Sequence, residues 1–375
     1  MKFTCTHQNF LKGLNITEKV IGKNFSLPIL QNILVSCEKN KGNLKLSSTD
    51  LEMGVEILIP AKIEEEGNIA IPAKLLGGFI RSLPSEKIEF SEKNRKVSIQ
   101  CQNYKANIKG EDGREFPIIP QNLEEEGFLT KSDIFLSGIT PVVSSASLLD
   151  IKPEISGVYI QLRENDSLFT ATDSFRLAEK TVKNDGKNNY VNSIILPRRT
   201  CDILVRIFED LKGDFMVNIH SNQITIKNSP QDPITPKITF VSKVIDGDYP
   251  KYEQIIPTSF TTSIKAQKHE LIQHIRTAGL FSSKIREVSL KTNSQKQCLE
   301  ITSEDATYGD HHSTLHCEIE GKEGKSVLNF EYLLDGLQSI SSDTILIKMN
   351  EPTTPILISS FKNEGFRYIL MPIKT

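Results

Sequence analysis

The sequence has no tryptophan and only five methionines. Its six cysteines, Cys5, Cys37, Cys101, Cys201, Cys298 and Cys317, are scattered without a CxxC pair. That excludes the close ligand spacings of zinc modules and reads as reduced thiols in an intracellular protein. No apolar run approaches the ~20 residues of a membrane helix. The opening MKFTCTHQNF lacks the apolar stretch of a secretory signal, so a cytoplasmic protein is expected. Charge of one sign is also missing, since 45 Lys and Arg oppose 47 Asp and Glu. The average surface therefore offers no attraction to a polyanion, and any nucleic-acid role needs a local cationic face. Signatures of catalysis are absent as well: GxSxG, HExxH and GxGxxG do not occur. Gly22-Lys23 fails as a phosphate loop because Thr17 stands where the first glycine is required.

What is present is a repeat. Ser167 to Lys183, SLFTATDSFRLAEKTVK, reads as two alternating strands around an Asp173-Ser174 turn, with Phe175 and Arg176 displayed near the tip. Looser copies run from Leu44 to Pro60 and from Leu299 to Ile319. Each is followed by a strand and a helix-like segment opening at Pro72, Pro197 or Asn329, where proline suits a first helical turn. The landmarks keep step: Asp50 to Asp173 is 123 residues, Pro72 to Pro197 is 125, and the next interval is 132 by both markers. A period near 125 is the size of a domain with its own core, too long for a solenoid repeat. Further helix-like stretches open each copy at His7–Ile21, Lys131–Ala146 and Lys268–Phe281. The expected fold is α+β: three modules, each of two helices on a largely antiparallel sheet, spanning 1–122, 128–257 and 258–375.

The repeat also exposes a cationic stripe. Counted from the opening residue of the second helix, Lys74 and Arg81 stand at +2 and +9, as do Arg199 and Arg206. Seven steps at 100° return to within about 20° of the start, so each pair shares a face. The apolar positions, Leu76, Phe79, Ile80 and Leu83 with Cys201, Leu204, Val205 and Phe208, fall on the opposite side. Any one amphipathic helix shows charge to water; two copies with the same sign at the same places suggest a lining for a polyanion. Lys12 and Lys19 add a pair seven apart, followed by Lys23. The third module departs from the pattern with Glu331 and Gln338, and its first helix region offers Arg276 among other cations. Aromatics do not interleave with these cations, which favours phosphate contact on a duplex over base stacking on a single strand.

The tripled module, ATDSFRLA at Ala171–Ala178, SLPIL at Ser26–Leu30, DGDYPKYEQIIP at Asp246–Pro257 and the terminal YILMPIKT together resemble the bacterial DNA polymerase III β subunit family, the sliding clamps. The resemblance covers the whole chain. It implies that two copies join head to tail into a ring of six modules, with helices inward around duplex DNA and sheets forming an outer shell. It implies a pocket between modules two and three that receives short apolar peptides from the polymerase III α subunit, the clamp loader, other polymerases and repair proteins. The matching positions are Ile155, Thr172, Arg176, Leu177, Pro250, Ile255, Ile369, Leu370, Met371 and Pro372. Lys152 matches a basic DNA-contacting loop position. Ser174-Phe175 replaces the family's usual Gly-His and implies a greasier rim; Asn24 replaces a frequent Arg, with Lys23 as substitute. The joint between copies is expected at Phe79, Leu83, Leu280 and Phe281.

No catalytic residue, metal or cofactor is expected. Asp310, His311, His312, His316 and Cys317 are common metal-ligand types, but they sit in the degenerate third hairpin, where alternate strand residues point to opposite faces. An enzyme finds thin support, and a sequence-specific DNA binder lacks a helix-turn-helix or finger pattern.

Overall fold

A computed structural model describes residues 1–22, 27–38, 42–120, 127–149, 151–220, 222–230, 236–362 and 364–374. Lys23 and Asn24 lie outside the described residues. Every strand pairing described is antiparallel. The strands form two nine-stranded sheets, one of five strands and one of four. Among the described residues, six α-helices pack on them: α1 (His7–Thr17), α2 (Ala73–Arg81), α3 (Ser132–Ile139), α4 (Arg198–Phe208), α5 (Lys268–Gly279) and α6 (Phe330–Gln338). None of the described helices is long and apolar enough to cross a membrane.

The chain divides into two compact units, one of residues 1–133, 188–190 and 202–244, the other of 134–187, 191–201 and 245–375. This division cuts through the expected middle module, and the reason lies in the hairpins. The second strand of the first hairpin, Met53–Pro60, pairs with Lys237–Lys243. The second strand of the next, Arg176–Lys183, pairs with Phe366–Leu370. Each nine-stranded sheet thus joins strands far apart in sequence, and ladder hydrogen bonds bind them into one unit.

All three hairpins turn by one device. Asp50 Oδ1 accepts from the amides of Glu52 and Met53. Asp173 Oδ1 accepts from those of Phe175 and Arg176. Asp305 Oδ1 accepts from those of Thr307 and Tyr308. A short carboxylate that mimics a backbone acceptor stabilises such a turn. Leu51 and Ser174 occupy the left-handed region there, with φ of 75° and 77°. One part of the turn reading is corrected. Phe175 is displayed, at 61% exposure, but Arg176 folds inward and is 8% exposed.

The helix openings need two further corrections. Pro72 lies outside the first helical turn: it is the N-cap of α2 and makes no side-chain cap bond. Pro197 likewise ends a strand before α4 begins. Asn329 does cap α6, its Oδ1 accepting from Glu331 and Tyr332 amides. The expected long helix at 131–146 stops at Ile139, just before Thr140-Pro141. Proline disfavours helical geometry in the residue before it and cannot donate to the helix ladder.

Burial of aliphatic and aromatic side chains fixes the helices. Leu76 and Ile80 are sealed on one side of α2, with Leu83 buried just beyond its end, while Phe79 is half-buried. Cys201, Leu204 and Phe208 are sealed, and Ile203 and Ile207 widen that face of α4. Each such side chain contributes roughly 1.5–3 kcal/mol.

The six cysteines are free. Burial pushes the Cys5 thiol up to about 12. Burial, then the neighbouring Cys298, pushes Cys317 up to about 11. Unfolded, these thiols ionise near the ordinary 9.0. Their contribution to stability is therefore complete below pH 9 and is lost as pH climbs through the folded values. The thermal midpoint is expected to fall steadily above pH 9, and a disulfide reagent is expected to label the native chain slowly at pH 8. Rapid native labelling of Cys5 would contradict this.

Candidate partner pocket and nucleic-acid interface

The expected pocket residues come together in the second unit, around the pairing of Arg176–Lys183 with Phe366–Leu370. Arg176 faces Leu370 and Leu177 faces Ile369 in this ladder. It extends when the Met371 amide donates to the Phe175 carbonyl, 2.9 Å away. Leu177 and Ile369 form a buried cluster with Tyr252, and Tyr249, Ile256 and Leu357 pack against it. The surface beside them includes exposed Pro250 and Ile255 and half-buried Met371 and Pro372.

Six of the ten expected pocket residues are therefore corrected to a supporting place. Ile155, Thr172, Arg176, Leu177, Ile369 and Leu370 are all at most 8% exposed. Tyr249, Ile256 and Leu357 pack over Leu177 and Ile369, while Asp173, Asp335, Ser144 and Tyr332 enclose Arg176. Tyr249, Ile256 and Leu357 are the partly exposed apolar groups that residue-by-residue matching missed. Tyr249 and Ile256 stand inside DGDYPKYEQIIP, so an apolar count of that segment could have found them. Tyr249 also stacks on Tyr159, with centroids 4.9 Å apart.

Two buried polar groups lock this region. The Arg176 guanidinium donates to Asp173 Oδ2 at 2.9 Å, to Asp335 Oδ2 at 2.5 Å and to the Ser144 carbonyl at 2.8 Å. It also lies 4.2 Å over the Tyr332 ring. Burial alone would make Arg176 less basic, but Tyr368, Asp335 and Asp173 outweigh it and hold the side chain charged. The second group is Glu179. It accepts from the Tyr252 hydroxyl at 2.6 Å and from Arg367 Nε at 2.5 Å. Thr170 donates to the Tyr252 hydroxyl at 3.0 Å. Tyr252 is thereby pinned against the cluster, so this wall is preformed.

The expected cations differ in exposure and surroundings. Lys12, Lys74, Lys152, Arg199, Arg206 and Arg276 are exposed. Arg81 is corrected: it forks onto Glu18 at 2.9 and 3.1 Å and reaches Asn15, so its charge is matched locally. Lys19 is also engaged, donating to the Arg206 carbonyl in the last turn of α4. Burial lowers its basicity, opposed by Glu209 and Asp210. In the third repeat, Arg286 pairs with Glu331 and Lys268 donates to the Ile340 carbonyl.

Of the joint residues, Leu83 is corrected. At 6% exposure it belongs to the core below α2. Leu280 is 74% exposed. Phe281 is half-buried and stacks on His311, centroids 5.8 Å apart. The Asp310–Cys317 stretch holds no ligand cluster: among the described residues, no three His, Cys, Asp or Glu side chains converge to hold a metal.

Two antiparallel nine-stranded sheets, hairpins turned by aspartate and the helices α2 and α4, each with one buried and one cationic face, define a clamp-type architecture. Models of three parts of the DNA polymerase III beta subunit match it in order: the N-terminal domain over residues 1–120, the central domain over 130–251 and the C-terminal domain over 253–374. The chain belongs to the DNA polymerase III beta subunit family. The beta sliding clamp of Synechocystis is 24% identical, with 100% of this chain and 99% of that protein aligned. That of Staphylococcus epidermidis is 22% identical over the full length of both. Among solved structures, a Bacillus subtilis DNA polymerase sliding clamp superposes with a TM-score of 0.92 at 24% identity, covering 100% of this chain and 99% of that one. A Pseudomonas aeruginosa clamp bound to griselimycin gives 0.92 at 21% identity, with both chains fully covered. The protein is accordingly a DNA sliding clamp of the polymerase III system, a processivity factor without catalysis.

Proposed function

We propose that two copies close head to tail into a ring of six modules, 1–122, 128–257 and 258–375 from each, around duplex DNA in the cytoplasm. The observation that carries this reading is the face repeated on α2 and α4. Lys74 on one and Arg199 with Arg206 on the other are exposed, opposite side chains sealed into the core. Lys12, Lys152 and Arg276 add to the lining, and Lys23 belongs with them by its place in the sequence. Such cations meet phosphates, which carry no sequence information, so contacts can be exchanged as the ring slides.

Open sheet edges suit the joint. Tyr104–Lys109 ends the five-stranded sheet and Gly309–His316 ends the four-stranded one. Unpaired edges are templates for another chain. Lys105 and Lys109 on one edge complement Asp310 on the other, and Leu280 and Phe281 flank the second edge through the stack on His311. Phe79 remains a candidate on the first module. The partner pocket of the second unit then takes short apolar peptides of the polymerase α subunit, the clamp loader, other polymerases and repair proteins. Its Met371 and aliphatic walls are adaptable, with few polar groups to orient a ligand.

Retention separates encirclement from grip. Loaded on nicked circular DNA, the protein is expected to co-elute with it through gel filtration and to be lost once the circle is cut. Equal loss from both forms would overturn the ring.

A further inference from the structure

The first nine-stranded sheet repeats, within its own unit, the arrangement of the partner pocket, and we propose that it forms a second docking groove for a short apolar peptide bearing a carboxylate. The proposal rests on the peptide-pocket reading above. By the 123-residue offset, Gly54 corresponds to Leu177. Gly54 faces Val241 in its ladder as Leu177 faces Ile369. Lys243 then stands where Met371 stands. The segment beside it repeats too: DGREFPIIP at Asp112–Pro120 keeps the DG…P…IIP frame of Asp246–Pro257.

These elements enclose a groove of about 260 Å³ lined by Leu51, Met53, Gly54, Ile119, Val241 and Lys243, among others. Leu51 offers 44% of its surface from the hairpin turn. Ile119 packs directly over Gly54, where a Cβ would come within 2.9 Å of Ile119 Cγ2, so glycine lets the Asp112–Pro120 segment lie against the sheet. Leu51, Ile119 and Pro120 give the groove an apolar side and Asn222 and Gln223 a polar one, and its volume limits an occupant to a short segment. The rim differs from the other pocket in charge. Lys243 Nζ lies 3.1 Å from Glu52 Oε1, with side chains 53% and 65% exposed. An exposed pair of this kind contributes little, because water screens it on both sides. A carboxylate from a docked peptide can therefore take the place of Glu52 at little cost, while its apolar side chains cover Leu51 and the exposed part of Ile119.

The test is a titration of fluorescein-labelled Leu-Asp-Leu-Phe, with a free C-terminal carboxylate, into the full chain. Two sites per chain are expected. Deleting Met371–Thr375 is expected to leave one, and Lys243→Glu in that shortened chain is expected to weaken it about tenfold. Leu51→Asp tests the floor from an exposed position, and Asp tolerates a left-handed backbone; in the intact chain it is expected to leave one site. A single site abolished by the deletion would overturn the groove and leave the pocket standing. Two sites that survive the deletion, one of them lost in Leu51→Asp, would overturn the pocket reading and leave the groove. Unchanged affinity in Lys243→Glu would overturn the carboxylate.

Discussion

Arg176→Met is expected to lower the unfolding free energy by about 3 kcal/mol, the low end of the cost of breaking a buried ion pair. The substitution keeps most of the side-chain length and removes every donor. Asp173 Oδ2 and Asp335 Oδ2 lose their Arg176 donors, while the Ser144 carbonyl keeps Arg198 Nη1 at 3.3 Å. They do not suffer equally. The Asp335 side chain is 42% exposed and can turn to water. That of Asp173 is 13% exposed and cannot do so without opening the turn. Most of the loss should therefore be the cost of an uncompensated Asp173 charge. This gives the prediction a second arm. In Arg176→Met with Asp173→Asn, the side-chain oxygen can still accept from the amides of Phe175 and Arg176's replacement, and the stranded charge is gone. The double variant should recover about half the loss. Urea unfolding followed by circular dichroism checks both. A single variant as stable as the parent would mean that the cluster is ornamental, and a double variant no better than the single would place the cost in the lost Tyr332 contact instead.

The same residue marks how far the sequence could be read. Its hairpin, the aspartate turn and the copies at Asp50 and Asp305 were legible, because local hydrogen bonds and alternation decide them. The exposed faces at Lys74 and Arg206 were legible for a similar reason, as helical periodicity sorts sides without knowledge of neighbours. The fate of Arg176 was not. Its partners at Ser144 and Asp335 lie 32 and 159 residues away, and a charged residue after a turn is exposed by default. Arg81 failed in the same way, since its partner Glu18 is 63 residues off on a neighbouring element. Leu83 was legible as core from the apolar face it shares with Leu76 and Ile80, and its second assignment, to the joint, is the one that its burial removes. Around the expected pocket, which segments carry the apolar residues was legible, and how deeply those residues are buried was not. Matching positions finds the strands that meet, but whether Leu177 or Tyr249 touches solvent depends on how the Asp246–Pro257 segment lies over the sheet.

Arg199→Glu with Arg206→Glu should weaken binding to a labelled 30-base-pair duplex by about 100-fold at low salt, with little change in thermal midpoint. Both side chains are exposed on α4 while Cys201, Leu204 and Phe208 carry its packing. The change therefore falls on the electrostatic link and spares the core. Its diagnostic is the salt dependence. Each phosphate contact releases counterions, and the slope of log K against log salt is about −0.9 per contact. Loss of two contacts per chain should flatten that slope by about 2. Reversal of Arg81 offers the contrast within the same stripe. Because its guanidinium is already forked onto Glu18, Arg81→Gln should leave the slope nearly unchanged. Lys19 adds a structural qualification: its ammonium sits on the Arg206 carbonyl, so it steadies the end of α4 from which Arg206 projects. An unaltered slope in the double variant would place the polyanion elsewhere on the chain. An equal effect from Arg81 would mean that the Glu18 pair opens on binding, so that the count of displayed cations understates the lining.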